Sequence, residues 1–358
     1  MTPLRLGFPV KVMAVPGLKS NDTRPWRQGP HLKASLEHLH RVLDHLGRTG
    51  ITMYRMSSDL APYATHPDLP RFHRMVEESD AELAAFGARA RAMNLRLSFH
   101  PSQYVLLNSP DPEITRKSIA DLASQADMLD RMGLGPEAVL VTHVGGTYGN
   151  REEGRARWLE GYAACPEPVR RRLVLENDDL RFSAADVLWV SGHCGVPLVF
   201  DHQHFWCLNP EGLGLREALA RMLATWPEGV RPKMHFSSPR TELREIKKAV
   251  TDRDRAAMAA GGVAQGLLKE PVTATSRVKT VLLPPVWTGH ADYANPFEFA
   301  TFMRIAAGLD FDVMLESKAK DLAVIRLRSD LVRYAPDVAR RFGLGVADVV
   351  AEPEAEDA

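Results

Sequence analysis

Short runs of aliphatic and β-branched residues, each closed by a turn signal, recur eight times along the chain. They are Leu4 to Phe8, Ile51 to Met56, Leu95 to His100, Ala138 to His143, Leu173 to Glu176, Val196 to Asp201, Lys233 to Phe236 and Asp312 to Glu316. Between most of them the apolar positions switch to three- and four-residue spacing. The clearest case is Leu32, Leu36, Leu39, Val42, Leu43 and Leu46, a helix that the pattern ends at Gly47. Strands that alternate with helices run parallel, because the helix carries the chain back to start the next strand in the same direction. An open doubly wound sheet would favour a glycine-rich phosphate loop after its first strand, and Phe8-Pro9-Val10-Lys11 is not one. The pattern therefore predicts an α/β fold of the TIM type, a closed (β/α)8 barrel in a single domain.

The rhythm breaks between strands seven and eight, where residues 237–288 lack a strand pattern until Val281 to Leu283 and read as an extended loop. A long excursion at a barrel's top face either covers a substrate or is a tolerated surface insertion, and both readings stand for this one. The barrel domain is placed at 1–330 with the insertion inside it, followed by a helical extension over 331–347. The last eleven residues, 348–358, carry Asp348, Glu352, Glu354, Glu356 and Asp357 without a base and read as a solvated acidic tail.

Composition adds boundaries. No run approaches the ~20 apolar residues of a membrane span, and the first residues have no signal-peptide core, so the expected location is cytoplasmic with no membrane partner. Cys165, Cys194 and Cys207 are three in number and widely spaced, which points to free thiols. Basic and acidic residues balance at 45 each, so net charge gives no footprint for nucleic acid. Basic residues do cluster, at Arg170-Arg171-Arg172 and again at Arg240, Arg244, Lys247-Lys248, Arg253 and Arg255, and the ordinary reading of each cluster is a solvated face.

In closed barrels catalytic groups project from the C-terminal ends of the strands. Here those ends are His100, His143, Glu176, Asp201 with His204 three residues on, His235 and Glu316. One histidine at a strand end is ordinarily structural, but six strand ends of ligand type are not explained that way. Carboxylates crowded into a barrel mouth repel one another unless divalent cations supply the missing charge. Imidazole and carboxylate without thiolate suit Mn2+, Zn2+, Fe2+ or Co2+. His290, where the insertion returns through Trp287-Thr288-Gly289, is a further candidate ligand.

An ordered set of motifs then resembles the UV damage endonuclease family. It comprises Leu6-Gly7-Phe8-Pro9, Ala64-Thr65-His66-Pro67, Ser98 to Tyr104, Thr142-His143-Val144-Gly145-Gly146, Leu175-Glu176-Asn177-Asp178, Phe200 to His204, Pro232 to Phe236, Gly289-His290-Ala291 and Leu315 to Lys320. The resemblance covers about Leu4 to Lys320 and implies an endonuclease IV-like barrel with up to three divalent metals, manganese foremost, acting without ATP. It implies that Glu176 bridges two metals, that His100 and His143 hold one, that Asp201, His235 and Glu316 complete the other, and that His204 and His290 hold a third. It also implies that Lys233, on the same face as His235, is carboxylated; the residues alone leave an ordinary cation paired with a carboxylate equally open. Gln103 and Tyr104 would wedge into DNA where a damaged dinucleotide is extruded, with His66 at a further DNA-contact position. Phe8 departs from the tyrosine common in the family, which puts any role for that hydroxyl in doubt. His202 and His193 are read as structural.

The activity so implied is a nick 5′ to cyclobutane pyrimidine dimers and 6-4 photoproducts, with abasic sites as a further substrate, leaving a 3′-hydroxyl and a 5′-phosphate. The substrate would be UV-damaged double-stranded DNA and the enzyme a monomer. The rival enzyme reading is a sugar isomerase or epimerase of the xylose isomerase type, which uses a related barrel and similar ligands. A non-catalytic DNA-binding module is the third reading, disfavoured because uncompensated carboxylates repel phosphates.

Overall fold

The eight runs become short parallel strands: β1 Leu6–Pro9, β2 Met53–Arg55, β3 Arg96–Ser98, β4 Leu140–His143, β5 Leu173–Glu176, β6 Leu198–Val199, β7 Lys233–Phe236, and an eighth strand, Asp312–Leu315. The computed structural model describes residues 2–260, 267–268, 273 and 275–350. One sheet has the order β3, β2, β1, eighth strand, β7, and a second has β4, β5, β6. Parallel bridges at Phe99–Leu140 and Asp201–His235 join the two sheets on both sides, so the ring of eight closes. Gly7 is required in β1, since a Cβ there would lie 2.4 Å from the Met53 carbonyl oxygen.

Two-residue alternation then stacks the interior in layers. Arg96, Ser98 and His100 share one side of their strand, as do Lys233 with His235, and Asp312 with Met314 and Glu316. At the N-terminal end Asp312 is fully buried, 2.9 Å from Arg96 Nη1, 3.4 Å from Arg5 Nη1 and 3.6 Å from Arg231 Nη1. Val139, Val141, Val174, Val199 and Trp226 form a separate small apolar cluster. The main core lies between strands and helices and includes Leu36, Leu39, Leu43, Leu97, Phe99, Leu175 and Leu198.

The first long helix, Leu32–Thr49, buries the predicted stripe but runs two residues past Gly47. A helical glycine costs only about 1 kcal/mol and does not stop a helix. Gly50, at φ 63°, does so by adopting the left-handed conformation that ends the hydrogen-bond ladder. After the eighth strand the chain continues through the helices Asp321–Tyr334 and Pro336–Ala339 and a 3-10 turn at Val346–Asp348. The start of the expected solvated tail is tied down instead: Asp348 pairs with Arg328, and Val350 N–H donates to Ser329 Oγ at 3.0 Å. Residues 351–358 of that tail lie outside the described residues. Among the described residues no helix is long and apolar enough to cross a membrane.

Residues Pro239–Ala291 form a compact unit of their own, distinct from the unit built from Met1–Ser238 and Asp292–Ala358. This corrects the reading of 237–288 as an extended loop. Arg244–Ala249 pairs antiparallel with Val278–Leu283, Leu267–Leu268 adds to the same sheet, and Asp252–Ala259 is a helix. A second ladder joins Pro239–Arg240 to Val286–His290. The sequence pattern missed Arg244–Ala249 because its only large apolar residue is Ile246, opposite Val281.

Candidate metal centre

Glu176, at the end of β5 and buried, is the hub of the donor cluster. Its Oε2 lies 3.2 Å from His100 Nε2 and 3.6 Å from His143 Nε2. Its Oε1 lies 2.8 Å from His235 Nδ1 and 3.7 Å from His204 Nδ1. Two overlapping ligand groups result, His100 with His143 and Glu176, and Glu176 with Asp201 and His235, each with donor atoms within 4.8 Å of one another. Period-two alternation accounts for this convergence, because every one of these strand ends shares the inward parity of its strand.

Asp201 is fully buried and divides its oxygens. Oδ1 accepts from His204 N–H at 2.8 Å and caps the helix His202–Cys207, while Oδ2 is buried without a hydrogen-bond partner. His235 Nε2 and His143 Nδ1 are orphaned in the same way. Buried polar atoms without partners are costly, and three of them around three carboxylates and four imidazoles form a donor set that fits divalent cations. Glu316 lies 3.4 Å from His235 Nδ1 through Oε1 and is ion-paired to Arg55. His204 Nδ1 donates to the Asn177 carbonyl at 2.9 Å, a bond of the kind that fixes a ligand imidazole's orientation. His290 ends the strand Val286–His290 in the insertion unit.

The electrostatics reflect this crowding. Burial pushes the Asp201 carboxyl up to about 7, with Glu176 and Glu316 adding to the rise against the pull of His204. Burial lowers His235 to about 4, leaving the neutral ring that binds metals. Burial also opposes charge on His204, but Asp201 and Glu176 outweigh it and raise that ring to about 9. For Glu176, burial is overcome by the surrounding rings and by hydrogen bonds from His100 and His235, which hold it well below the usual carboxylate range. Lys233 is fully buried, and that burial, reinforced by Arg55 and Arg96, holds its amine well below the usual lysine range. Its Nζ donates to Ser98 Oγ at 3.2 Å. Among the described residues Lys233 makes no ion pair within 4 Å, so the paired-cation reading of this lysine is corrected.

A cleft of about 590 Å3 opens beside the cluster, lined by His100, His143 and His204 together with Gln103, Tyr148 and Arg181. Gln103 and Tyr104 stand exposed on the loop after β3, and Tyr104 is 77% exposed, so it is not packed at the rim. His66 is not brought to the donor cluster. It lies on a smaller cavity of about 280 Å3 with Thr65, Lys117 and Asp121, and Ser102 lines both cavities. Phe8 is buried edge-on against Tyr54 at 5.4 Å. His202 stacks on Phe236 and accepts from Trp206 Nε1, and His193 bonds the Trp189 carbonyl, which fits their structural reading.

Sequence reasoning missed Arg55, Tyr148 and Arg181. An arginine ending β2 was legible only through strand parity. Tyr148 sits at φ 49° in Gly145-Gly146-Thr147-Tyr148-Gly149, and a Cβ on Gly146 would come within 3.0 Å of its ring. Three glycines around one aromatic were the available signal.

A protein-family model described as UV-endonuclease UvdE matches residues 30–342. A UV DNA damage endonuclease of Bacillus velezensis is 32% identical over 302 residues, covering 84% of this chain and 81% of that protein. Another from Bacillus mycoides is 32% identical over 308 residues, covering 83% and 80%. The crystal structure of SacUVDE superposes with a TM-score of 0.70 at 27% identity, covering 92% of this chain and 98% of that one.

Proposed function

This chain belongs to the UV-endonuclease UvdE family and is an endonuclease, and from that premise we propose that it nicks UV-damaged double-stranded DNA 5′ to the lesion. The lesions in this reading are cyclobutane pyrimidine dimers and 6-4 photoproducts, with abasic sites as a further class, and the products a 3′-hydroxyl and a 5′-phosphate. It would act as a cytoplasmic monomer. Family membership replaces the sugar-isomerase and non-catalytic readings.

The observation that carries the metal-dependent part of the proposal is Glu176's place in both ligand groups, beside the partnerless Asp201 Oδ2 and His235 Nε2. His100, His143, Glu176, Asp201, His204, His235 and Glu316 would hold divalent ions, Mn2+ foremost, with His290 as an additional ligand. Bound there, such ions would supply Lewis-acid chemistry, acidifying water and neutralising charge that develops on the phosphate. Asn177 holds the Asp201 backbone through reciprocal bonds at 2.8 and 3.2 Å and thereby fixes where that carboxylate points. Arg55 orients Glu316. Burial holds the Lys233 amine well below the usual lysine range and so favours the free amine that addition of carbon dioxide requires, which supports a carboxylated lysine at this position. Gln103 and Tyr104 are exposed and able to fill the gap that extrusion of a damaged dinucleotide leaves, and a poorly stacked lesion makes that extrusion less costly. His66 would contact the duplex away from the cluster.

Irradiated and untreated plasmids incubated with the protein and Mn2+, with and without chelator, test the reading. Nicks should appear in irradiated plasmid alone and vanish with chelator. Equal nicking of both plasmids, or none in either, would overturn it.

A further inference from the structure

The zero net charge of the chain conceals a strong partition. Residues 239–291 hold nine of the 45 basic residues and five of the 45 acidic ones, a net of +4 that leaves the rest of the chain at −4. The cations concentrate at one end of the insertion's three-stranded sheet. Lys248 lies directly across from Lys279, and Val250 N–H donates to the Arg277 carbonyl at 3.0 Å, one step beyond the Ala249–Val278 pair. Alternation puts Lys248, Lys279 and Arg277 on one face. The helix Asp252–Ala259 follows at once and brings Arg253.

Like charges directly across a ladder are destabilising, so an isolated sheet gains nothing from the Lys248–Lys279 pair. The nearby carboxylate offsets only the Lys279 half of it and leaves Lys248 without a counter-charge. Asp254 is buried, bound to Lys279 Nζ at 2.5 Å and to Thr251 N–H at 2.8 Å, and is committed to those groups. Lys247, Lys248, Arg253 and Arg277 are exposed and form no ion pair among the described residues. A rigid, exposed set of cations on sheet and helix complements a polyanion with closely spaced charges, and duplex DNA carries one charge per about 1.7 Å of its axis.

We infer that this end of the insertion, Lys248, Arg253 and Arg277, grips the phosphate backbone of duplex DNA. The inference rests on the proposed action on DNA and adds a contact surface to it, one that raises affinity without reading the lesion. Backbone contacts position a protein and carry no sequence or damage information, so damaged and undamaged duplexes gain alike.

The test compares the parent with the triple variant Lys248→Ala, Arg253→Ala, Arg277→Ala. Duplex dissociation constants are measured across a salt series and nicking is measured at saturating irradiated DNA. Each lost phosphate contact lowers the slope of log affinity against log salt by about 0.9, so the triple variant should lose roughly 2 to 3 in slope. Its affinity at low salt should fall at least about tenfold, equally for irradiated and untreated duplex, with the saturated nicking rate preserved. The single variants, each a change at an exposed side chain, should each lose about one contact's slope and keep the test decisive if the triple variant misfolds. A parent-like slope in a folded variant that nicks normally would overturn the grip while leaving the nuclease reading intact. A slope unchanged for DNA together with lost binding to anionic lipid vesicles would reassign the surface to membranes. A parent that fails to nick irradiated DNA would instead sink the nuclease reading itself.

Discussion

At the N-terminal end of the barrel the buried carboxylate of Asp312 faces the guanidinium groups of Arg96, Arg5 and Arg231, whereas at the C-terminal end Glu176, Asp201 and Glu316 face imidazoles, with Arg55 on Glu316. Both ends bury charge in the same cylinder. At the N-terminal end the protein supplies permanent cations, so Asp312 has guanidinium partners on both oxygens, although Arg96 Nη2 is itself buried without a hydrogen-bond partner. At the C-terminal end the partners are rings that are themselves ligands, and Asp201 Oδ2, His235 Nε2 and His143 Nδ1 are left over. A carboxylate met by permanent cations marks structure, and carboxylates met mainly by rings that are themselves ligands mark a place that chemistry enters.

Four experiments can break or sharpen that contrast. Glu176→Gln should lower nicking of irradiated plasmid by roughly 10²–10³-fold with the far-UV circular dichroism retained; near-parent nicking would erase the distinction between the two ends. Asp312→Ala should act oppositely, costing about 3–5 kcal/mol in denaturant unfolding because Arg96 is left buried without its carboxylate, with nicking per folded molecule unchanged. Mn2+ at a hundred times its dissociation constant should stabilise the parent and Asp312→Asn alike by about 2.7 kcal/mol, and Asp201→Asn by clearly less, as read by thermal shift. Arg231→Ala should be mildest, about 1 kcal/mol or below, since that side chain is partly exposed and Arg96 and Arg5 still face Asp312.

The C-terminal end was legible in the sequence because ligand-type residues close strand after strand and strand parity fixes which way they point. The N-terminal end was not, since Arg5, Arg96 and Asp312 flank or begin strands and read locally as ordinary solvated charges. Their meeting depends on barrel closure, a contact between positions 5 and 312 that no local pattern carries. The insertion was legible as an interruption but not as a sheet. Its strand Arg244–Ala249 is stabilised by cross-strand hydrogen bonds and one apolar contact, without the alternation that half-buried strands display. Tyr104 was singled out through family motifs alone, and the structure adds that its side chain is exposed and not packed at the rim.

Barrel closure also sets a timetable. The donor cluster draws on strands from β3 to the eighth, and its last member, Glu316, follows a strand that pairs with both β1 and β7. A chain still emerging from the ribosome cannot bring these groups together until more than three hundred residues have been made. Nascent fragments therefore lack the full donor cluster, which is assembled only when the first strand meets the last.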